Sequence, residues 1–247
     1  YYKIYLINIF FFNFIKEILS LIYFKNRSIK FINQNNHIIF TTFPYGWKLN
    51  GKTFSRFFGK NISNKKNTYL FSITRNNQYN LTFDLKSFYS LKKIKNHRIL
   101  EAYGTLKNII YNYFFVKKKK DKILNDLKIL FKNEFIANIL TYGILKVEIP
   151  QRNILIHNLK KFYSENKIKK ILISIPEFVD GRAINYISNK NHIMTYALQH
   201  ASIGILQHSR FIKIIKSIDK IDKNYLSNNM LVENFKIKEQ FNNTSFS

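Results

Sequence analysis

The six histidines are the residues of this sequence best suited to metal binding or acid–base chemistry. Three of them, His192, His200 and His208, follow one another at intervals of eight residues. On a helix that interval spans about 12 Å of rise, which is too far for two imidazoles to bind one metal ion. We therefore expect a polar stripe here, with no metal site and no cofactor.

Two carboxylates, Glu177 and Asp180, follow an apolar run that is typical of a strand, which is where catalytic acids often lie. No nucleophile–base pair accompanies them, so we expect no catalytic residues and no enzyme activity. The Gly181-Arg182 pair behind Asp180 indicates a turn that presents an arginine. With seven glycines, the sequence has no Gly-x-Gly-x-x-Gly or Gly-x-x-Gly loop for phosphate, whereas residues 46–53, Gly-Trp-Lys-Leu-Asn-Gly-Lys-Thr, match the Gly-x-x-x-x-Gly-Lys-Thr pattern of a phosphate-binding loop.

The charge balance indicates a polyanionic partner. Forty-one Lys plus Arg oppose fourteen Asp plus Glu, giving a formal net charge of +27. A compact chain with this excess repels itself unless a polyanion neutralises it. Nucleic acid is one such partner, because lysines on phosphates release counterions. An anionic membrane surface is the alternative.

Aromatic residues lie among the cations in residues 43–60, where exposed rings can stack on unpaired bases while Lys and Arg hold phosphates. Phe57 and Phe58 fit a place in the core equally well. The lysine run at residues 117–120 is expected at a helix C-terminus, either on phosphate or in solvent. The residues predicted to contact RNA are Trp47, Lys48, Arg56, Lys60, Arg75, Lys107, Lys117, Lys118, Lys119, Lys120 and Arg182.

The residue usage indicates an AT-rich gene, because residues with AT-rich codons are frequent while Gly and Pro are scarce. A protist mitochondrial genome is of this kind, so we expect a mitochondrial protein, either made there or trimmed. The absence of cysteine excludes disulfides and thiolate metal sites.

Residues 1–24 are the most apolar stretch, but Asn8 and Asn13 interrupt it and Lys16-Glu17 end it. A membrane span needs about 20 apolar residues. We therefore predict a docked or buried helix, with membrane contact through this segment as the less favoured alternative.

The remaining patterns predict an α+β chain with two small antiparallel-sheet and helix units. The predicted domains are an apolar helix at 1–27, α+β domains at 28–120 and 121–223, and a disordered polar tail at 224–247. Strands are predicted at 28–33, 37–42, 68–74, 79–85, 139–149, 153–157 and 170–175. Helices are predicted at 98–116, 121–131 and 194–212.

Residues 28–116 resemble the first domain of the large-subunit ribosomal protein six family. The likeness lies in a hairpin whose second strand, 37–42, precedes Tyr45-Gly46, and in residues 102–112, Ala-Tyr-Gly-Thr-Leu-Lys-Asn-Ile-Ile-Tyr-Asn. In the family a His-Gly-Thr-like motif begins a helix; here Tyr103 takes the histidine's place. The resemblance implies a helix start that approaches RNA, with Lys107 facing outward. The family's Tyr-Lys-Gly-Lys-Gly-like segment is absent from the second half.

Together these features predict a structural constituent of a mitochondrial ribosome, in the large subunit, that braces rRNA by phosphate contacts and aromatic stacking. Its expected partners are rRNA and neighbouring ribosomal proteins, with no small-molecule substrate. The alternative is an accessory subunit of an inner-membrane complex, docked by residues 1–24. A nucleic-acid-processing enzyme would need a carboxylate cluster that the sequence lacks.

Overall fold

The structure is a computed structural model. It describes residues 2–25, 37–41, 47–49, 52–54, 68–72, 97–115, 120–173, 179–198, 216–217 and 220–231. The predicted strands at 28–33 and 79–85 lie outside these residues.

Two compact units make up the chain, and each draws on two separate stretches of sequence. Residues 1–26 and 101–158 form the first, here called the helical unit. Residues 27–100 and 159–247 form the second, here called the sheet unit. These boundaries differ from the predicted domains, because strands from both 28–120 and 121–223 join one sheet.

The helical unit contains helices throughout its described residues. They are α1 Tyr2–Phe24, a 3₁₀ turn Leu100–Tyr103 that leads into the unit, α2 Leu106–Ile110 with a π-helical segment Tyr111–Phe115, α3 Lys120–Phe131, α4 Glu134–Gly143, a π-helical segment Ile144–Glu148 and the first part of α5 Ile149–Glu165. The predicted helices at the N-terminus and at 121–131 are confirmed.

The core of the helical unit is aromatic and aliphatic. Phe10, Leu21, Ile109, Tyr113 and Ile154 are buried together. The Phe10 and Tyr113 rings meet edge to face, with centroids 5.4 Å apart. Fully burying such a side chain contributes about 1.5–3 kcal/mol, so these few residues hold α1 and α2 together with α5.

The predicted strands at 139–149 and 153–157 are wrong, since these residues are helical. Their β-branched residues favour strands, and a proline such as Pro150 is typical of a break between two strands. In the structure Pro150 lies inside a continuous helix. The π-helical segment Ile144–Glu148 ends just before it, where the proline's missing N–H interrupts the α-helical bonding pattern.

The sheet unit contains a six-stranded sheet in which every pairing is parallel. Its strands are β1 His37–Thr41, β4 Thr68–Ser72, β5 His97–Ile99, β6 Lys170–Ile173, β7 Met194–Leu198 and β8 Asn229–Leu231. They are arranged in the order β5-β4-β1-β6-β7-β8. Two further strands, β2 Trp47–Leu49 and β3 Lys52–Phe54, form a separate antiparallel hairpin.

The mixture of helices and strands is as predicted, but the antiparallel arrangement of the sheets is wrong. Numbered by their appearance in the large sheet, the strands lie in the order 3-2-1-4-5-6, an order that is found in doubly wound α/β folds. Ile38, Phe71, Ile171 and Ile173 are all buried. Short apolar runs of this kind are typical of parallel strands covered on both faces.

The structure also differs from three other predictions of secondary structure. Residues 194–198 form β7 rather than the start of a helix. Residues 229–231 form β8, inside the stretch predicted as a disordered tail. The predicted helix 98–116 is divided among β5, a 3₁₀ turn, α2 and a π-helical segment. The predicted strands at 37–42, 68–74 and 170–175 are confirmed over their described residues.

Candidate functional site

The carboxyl edge of the large sheet has a topological switch between β1 and β6. These strands are neighbours, in register from Ile38 opposite Ile171 to Phe40 opposite Ile173. From β1 the sheet continues through β4 to β5, and from β6 it continues the other way through β7 to β8. Connections that leave neighbouring strands in opposite directions open a crevice at their carboxyl ends. Ligands of doubly wound proteins bind there.

Helix α6, Val179–Lys190, is separated from the end of β6 by five residues and leads into β7. Because β6 and β7 are parallel neighbours, the first turn of α6 starts at the carboxyl edge of the sheet. That turn contains Asp180, with Arg182 close behind it. Both side chains are half-buried and interact with other residues. Gly181-Arg182 therefore lies within a helix, and the predicted turn is wrong.

A helix N-terminus favours negative charge, because its first N–H groups have no partner within the helix. Phosphate is the usual ligand of such an end in α/β proteins. Arg182, two residues after Asp180, adds a permanent positive charge with several N–H donors. The helix start and Arg182 therefore favour a phosphate group, whereas the Asp180 carboxylate in the same turn opposes it.

Buried hydrogen bonds fix the position of α6 in the sheet unit. The hydroxyls of Tyr163 on α5 and Ser188 on α6 lie 2.7 Å apart, and both residues are buried. Burial raises the pKa of the Tyr163 phenol well above its ordinary value, so it remains protonated and hydrogen-bonded. A helix held in this way presents its first turn at a defined position.

Asparagine side chains of α6 bind the segment that precedes β8. Asn189 donates hydrogen bonds to the carbonyls of Asn224 and Leu226, at 3.0 and 2.8 Å. Asn185 accepts a hydrogen bond of 2.8 Å from the Ser227 hydroxyl. These amides satisfy backbone groups in a segment that was predicted to be disordered, and so place β8 beside β7.

A cavity of about 560 Å³ lies at the amino ends of β7 and β8, away from the switch point. It is lined by Asn189, His192, Ile193, Met194, Lys223, Asn224, Leu226, Ser227 and Asn228. In this lining, the side chain of Asn228 accepts hydrogen bonds from the N–H and the hydroxyl of Thr195, at 2.7 and 3.0 Å. Much of its polar lining thus already bonds within the protein.

Asp222 shapes the edge of this cavity by capping the 3₁₀ turn Lys223–Tyr225. Its carboxylate accepts a 2.9 Å hydrogen bond from the N–H of Asn224. That bond holds the pKa of Asp222 below its ordinary value, against a smaller opposing effect of burial, with the Asn224 amide and Lys190 also lowering it. The cap is thus present above the ordinary carboxyl pKa and is lost as the pH falls through the lowered value.

The residues predicted to contact RNA are spread over both units. Lys107 is exposed on α2, where Thr105 caps the helix by accepting a hydrogen bond from the N–H of Asn108, so the helix start expected at Gly-Thr is confirmed. Lys120 is exposed at the first residue of α3, which makes the predicted helix C-terminus wrong there. Trp47 and Lys48 lie on β2, and Arg182 lies on α6. Arg56, Lys60, Arg75, Lys117, Lys118 and Lys119 lie outside the described residues.

The histidine stripe is only partly described. His192 is exposed in a turn after α6, with a positive φ of 56°, so it does not continue a helical stripe. His200, His208 and Glu177 lie outside the described residues. Within the residues that the structure covers, no group of three His, Asp or Glu side chains could hold a metal ion.

Comparison with protein-family models, curated proteins and solved structures finds no match to this chain. Its function is therefore inferred from the strand order and the site. The sequence analysis missed the switch point because the strands that form it are far apart in sequence. The asparagines Asn185 and Asn189, one helical turn apart, were the available signal for a polar helix face that binds backbone.

Proposed function

We propose that the sheet unit binds a nucleotide, or another small molecule that carries phosphate, at the carboxyl ends of β1 and β6. The observation that carries this proposal is the 3-2-1-4-5-6 order of six parallel strands. In doubly wound folds this order creates a crevice that accepts such ligands. The proposal departs from the expectation that the chain has no small-molecule ligand.

The chemistry near the switch point supports a mononucleotide over a dinucleotide. The Gly-x-Gly-x-x-Gly turn that receives a dinucleotide pyrophosphate is absent. The first turn of α6 and Arg182 supply N–H donors and positive charge for a single phosphate or pyrophosphate group.

Binding of ADP, GDP, CDP and UDP by the full chain, measured by isothermal titration calorimetry, tests this. We expect Arg182→Gln to weaken binding by about tenfold or more, because it removes a charged hydrogen bond to phosphate. Lys190→Gln is the matched control: it makes the same change of charge in the last turn of α6, at the other end of the helix. It should leave affinity within about twofold.

The titration tests the nucleotide-binding proposal directly. Binding of none of the four nucleotides contradicts the proposal, as does equal weakening by the two variants. Circular dichroism of each variant is needed first, because Arg182 interacts with other residues of the protein.

The net charge of +27 favours a second candidate function, the one that the sequence predicts. In that candidate the chain is a structural constituent of the large subunit of a mitochondrial ribosome, bound to rRNA and to neighbouring ribosomal proteins. The exposed Lys107 and Lys120 suit phosphate contacts of this kind. Co-sedimentation with ribosomal large subunits is the observation that would favour it.

A further inference from the structure

Helix α1 exposes five apolar residues and buries several polar ones. Asn13, Lys16, Glu17 and Ser20 are buried. Asn13 donates a 2.8 Å hydrogen bond to the carbonyl of Ile9 and accepts one of 2.8 Å from Gln151. Exposed side chains recur every three or four residues and so form one stripe along the helix. They are Ile7, Phe11, Ile15, Leu19 and Ile22, each 42–69% exposed.

The stripe continues onto the end of the π-helical segment that follows α2. The Phe114 ring lies 5.5 Å from Phe10 and 5.2 Å from Phe14, edge-on to both, and is half-exposed. Phe115, the next residue, is 67% exposed. We call the five α1 residues together with Phe114 and Phe115 the apolar face. Single exposed apolar residues are ordinary on a protein surface, whereas five along one helix, with Phe114 packed against the same helix, indicate a binding surface.

Lysines follow the residues of the apolar face in the sequence at two places. Lys25 is exposed just beyond the end of α1. In the sequence, residues 117–120 are four consecutive lysines that follow Phe115 after a single valine, and Lys120 is exposed. Aromatic and aliphatic residues beside a cluster of lysines are typical of helices that lie in the interface of an anionic bilayer.

We propose that the helical unit binds the surface of an anionic lipid bilayer through the apolar face, with Lys25 and Lys120 on lipid headgroups. The binding is peripheral: among the described helices none is long and apolar enough to cross a membrane. The charge selects this occupant over a second copy of the chain, because two chains of net charge +27 repel each other. This inference goes beyond the proposed function and does not depend on it.

Flotation of the full chain with lipid vesicles tests the proposal. We expect binding to vesicles of phosphatidylcholine with phosphatidylserine, and much weaker binding to phosphatidylcholine alone. Raising the salt from about 0.05 to 0.5 M should reduce binding, since the Debye length falls to a few ångströms. Phe11→Ser combined with Ile15→Ser should reduce the bound fraction by about tenfold, as should Phe115→Ser.

Phe135→Ser provides a matched control. Phe135 is 67% exposed, as is Phe115, but it lies on α4, beyond the far end of α3 from Lys120. The twelve residues of α3 span about 18 Å, so the control removes equal apolar surface away from the lysine run. We expect it to leave vesicle binding unchanged.

Three results would overturn the proposal. One is the absence of binding to phosphatidylserine vesicles, and another is equal loss of binding in Phe115→Ser and Phe135→Ser. The third is that the apolar face joins two copies of the chain. Sedimentation would show this as a dimer that Phe11→Ser with Ile15→Ser dissociates. Because these side chains lie outside the core, circular dichroism of the variants should match the native chain.

Discussion

At the scale of single residues, asparagine side chains of α6 form hydrogen bonds to backbone carbonyls that have no strand partner in the same segment. Asn185 on α6 is fully buried and has two partners, the carbonyl of Tyr225 at 3.4 Å and the hydroxyl of Ser227 at 2.8 Å. The Tyr186 and Tyr225 rings stack beside them, with centroids 4.6 Å apart. These contacts hold the segment that leads into β8.

We therefore expect Asn185→Ala to lower the free energy of unfolding by about 1–3 kcal/mol, because two buried groups lose their partner. Asn138→Ala is the matched control, since Asn138 is exposed on α4 and donates only to the carbonyl of Glu134 one turn back. It should change stability by within about 0.5 kcal/mol. Urea unfolding measures both, and equal effects would show that the asparagine contacts do not stabilise the segment.

At the scale of elements, two glycines in the helical unit differ in the space around them. A Cβ at Gly104, just before α2, would lie 3.0 Å from the carbonyl oxygen of Glu101 and 3.3 Å from the Asn158 side chain. At Gly143, the last residue of α4, a Cβ would meet nothing within 4 Å. Gly104 permits the close approach of Glu101 and Asn158 to the backbone before α2. Gly143 has free space beside it, so a methyl group fits there.

The two Gly→Ala substitutions should therefore shift stability in opposite directions. We expect Gly104→Ala to destabilise the protein by about 1–3 kcal/mol, because backbone must move to admit the methyl group. Gly143→Ala should stabilise it by up to about 1 kcal/mol, since alanine is the better helix former. Thermal unfolding of both variants checks this; a stabilising Gly104→Ala would contradict the close packing.

At the scale of the whole molecule, the sequence predicts local structure better than the pairing of distant segments. The helices α1 and α3 and the strands β1, β4 and β6 follow from their own patterns of apolar residues. The parallel sheet does not, because β1 and β6 are separated by about 130 residues and no local signal joins them. A hairpin is the nearest pairing, so antiparallel sheets were the natural but wrong prediction.

The candidate site was hidden from the sequence for the same reason. Asp180 and Arg182 were recognised as residues that could do chemistry, but as a turn rather than the first turns of a helix. The switch point depends on the order of six strands, and the phosphate-loop pattern at residues 46–53 does not reveal it, because its described residues lie on the β2-β3 hairpin and not at a helix start. The charge excess predicts an anionic partner but does not distinguish a nucleotide, an RNA or a lipid surface.

The most direct test of the account is to map where a nucleotide binds. The full chain would be irradiated with azido-ATP and azido-UTP, and the labelled peptides identified by mass spectrometry. We predict labelling near the carboxyl ends of β1 and β6, in peptides that contain Thr41 or span Ile173 to Arg182, and its loss when unmodified nucleotide competes. Labelling confined to the amino-edge cavity around Asn189 and Asn228, or to the helical unit, would contradict a site at the switch point.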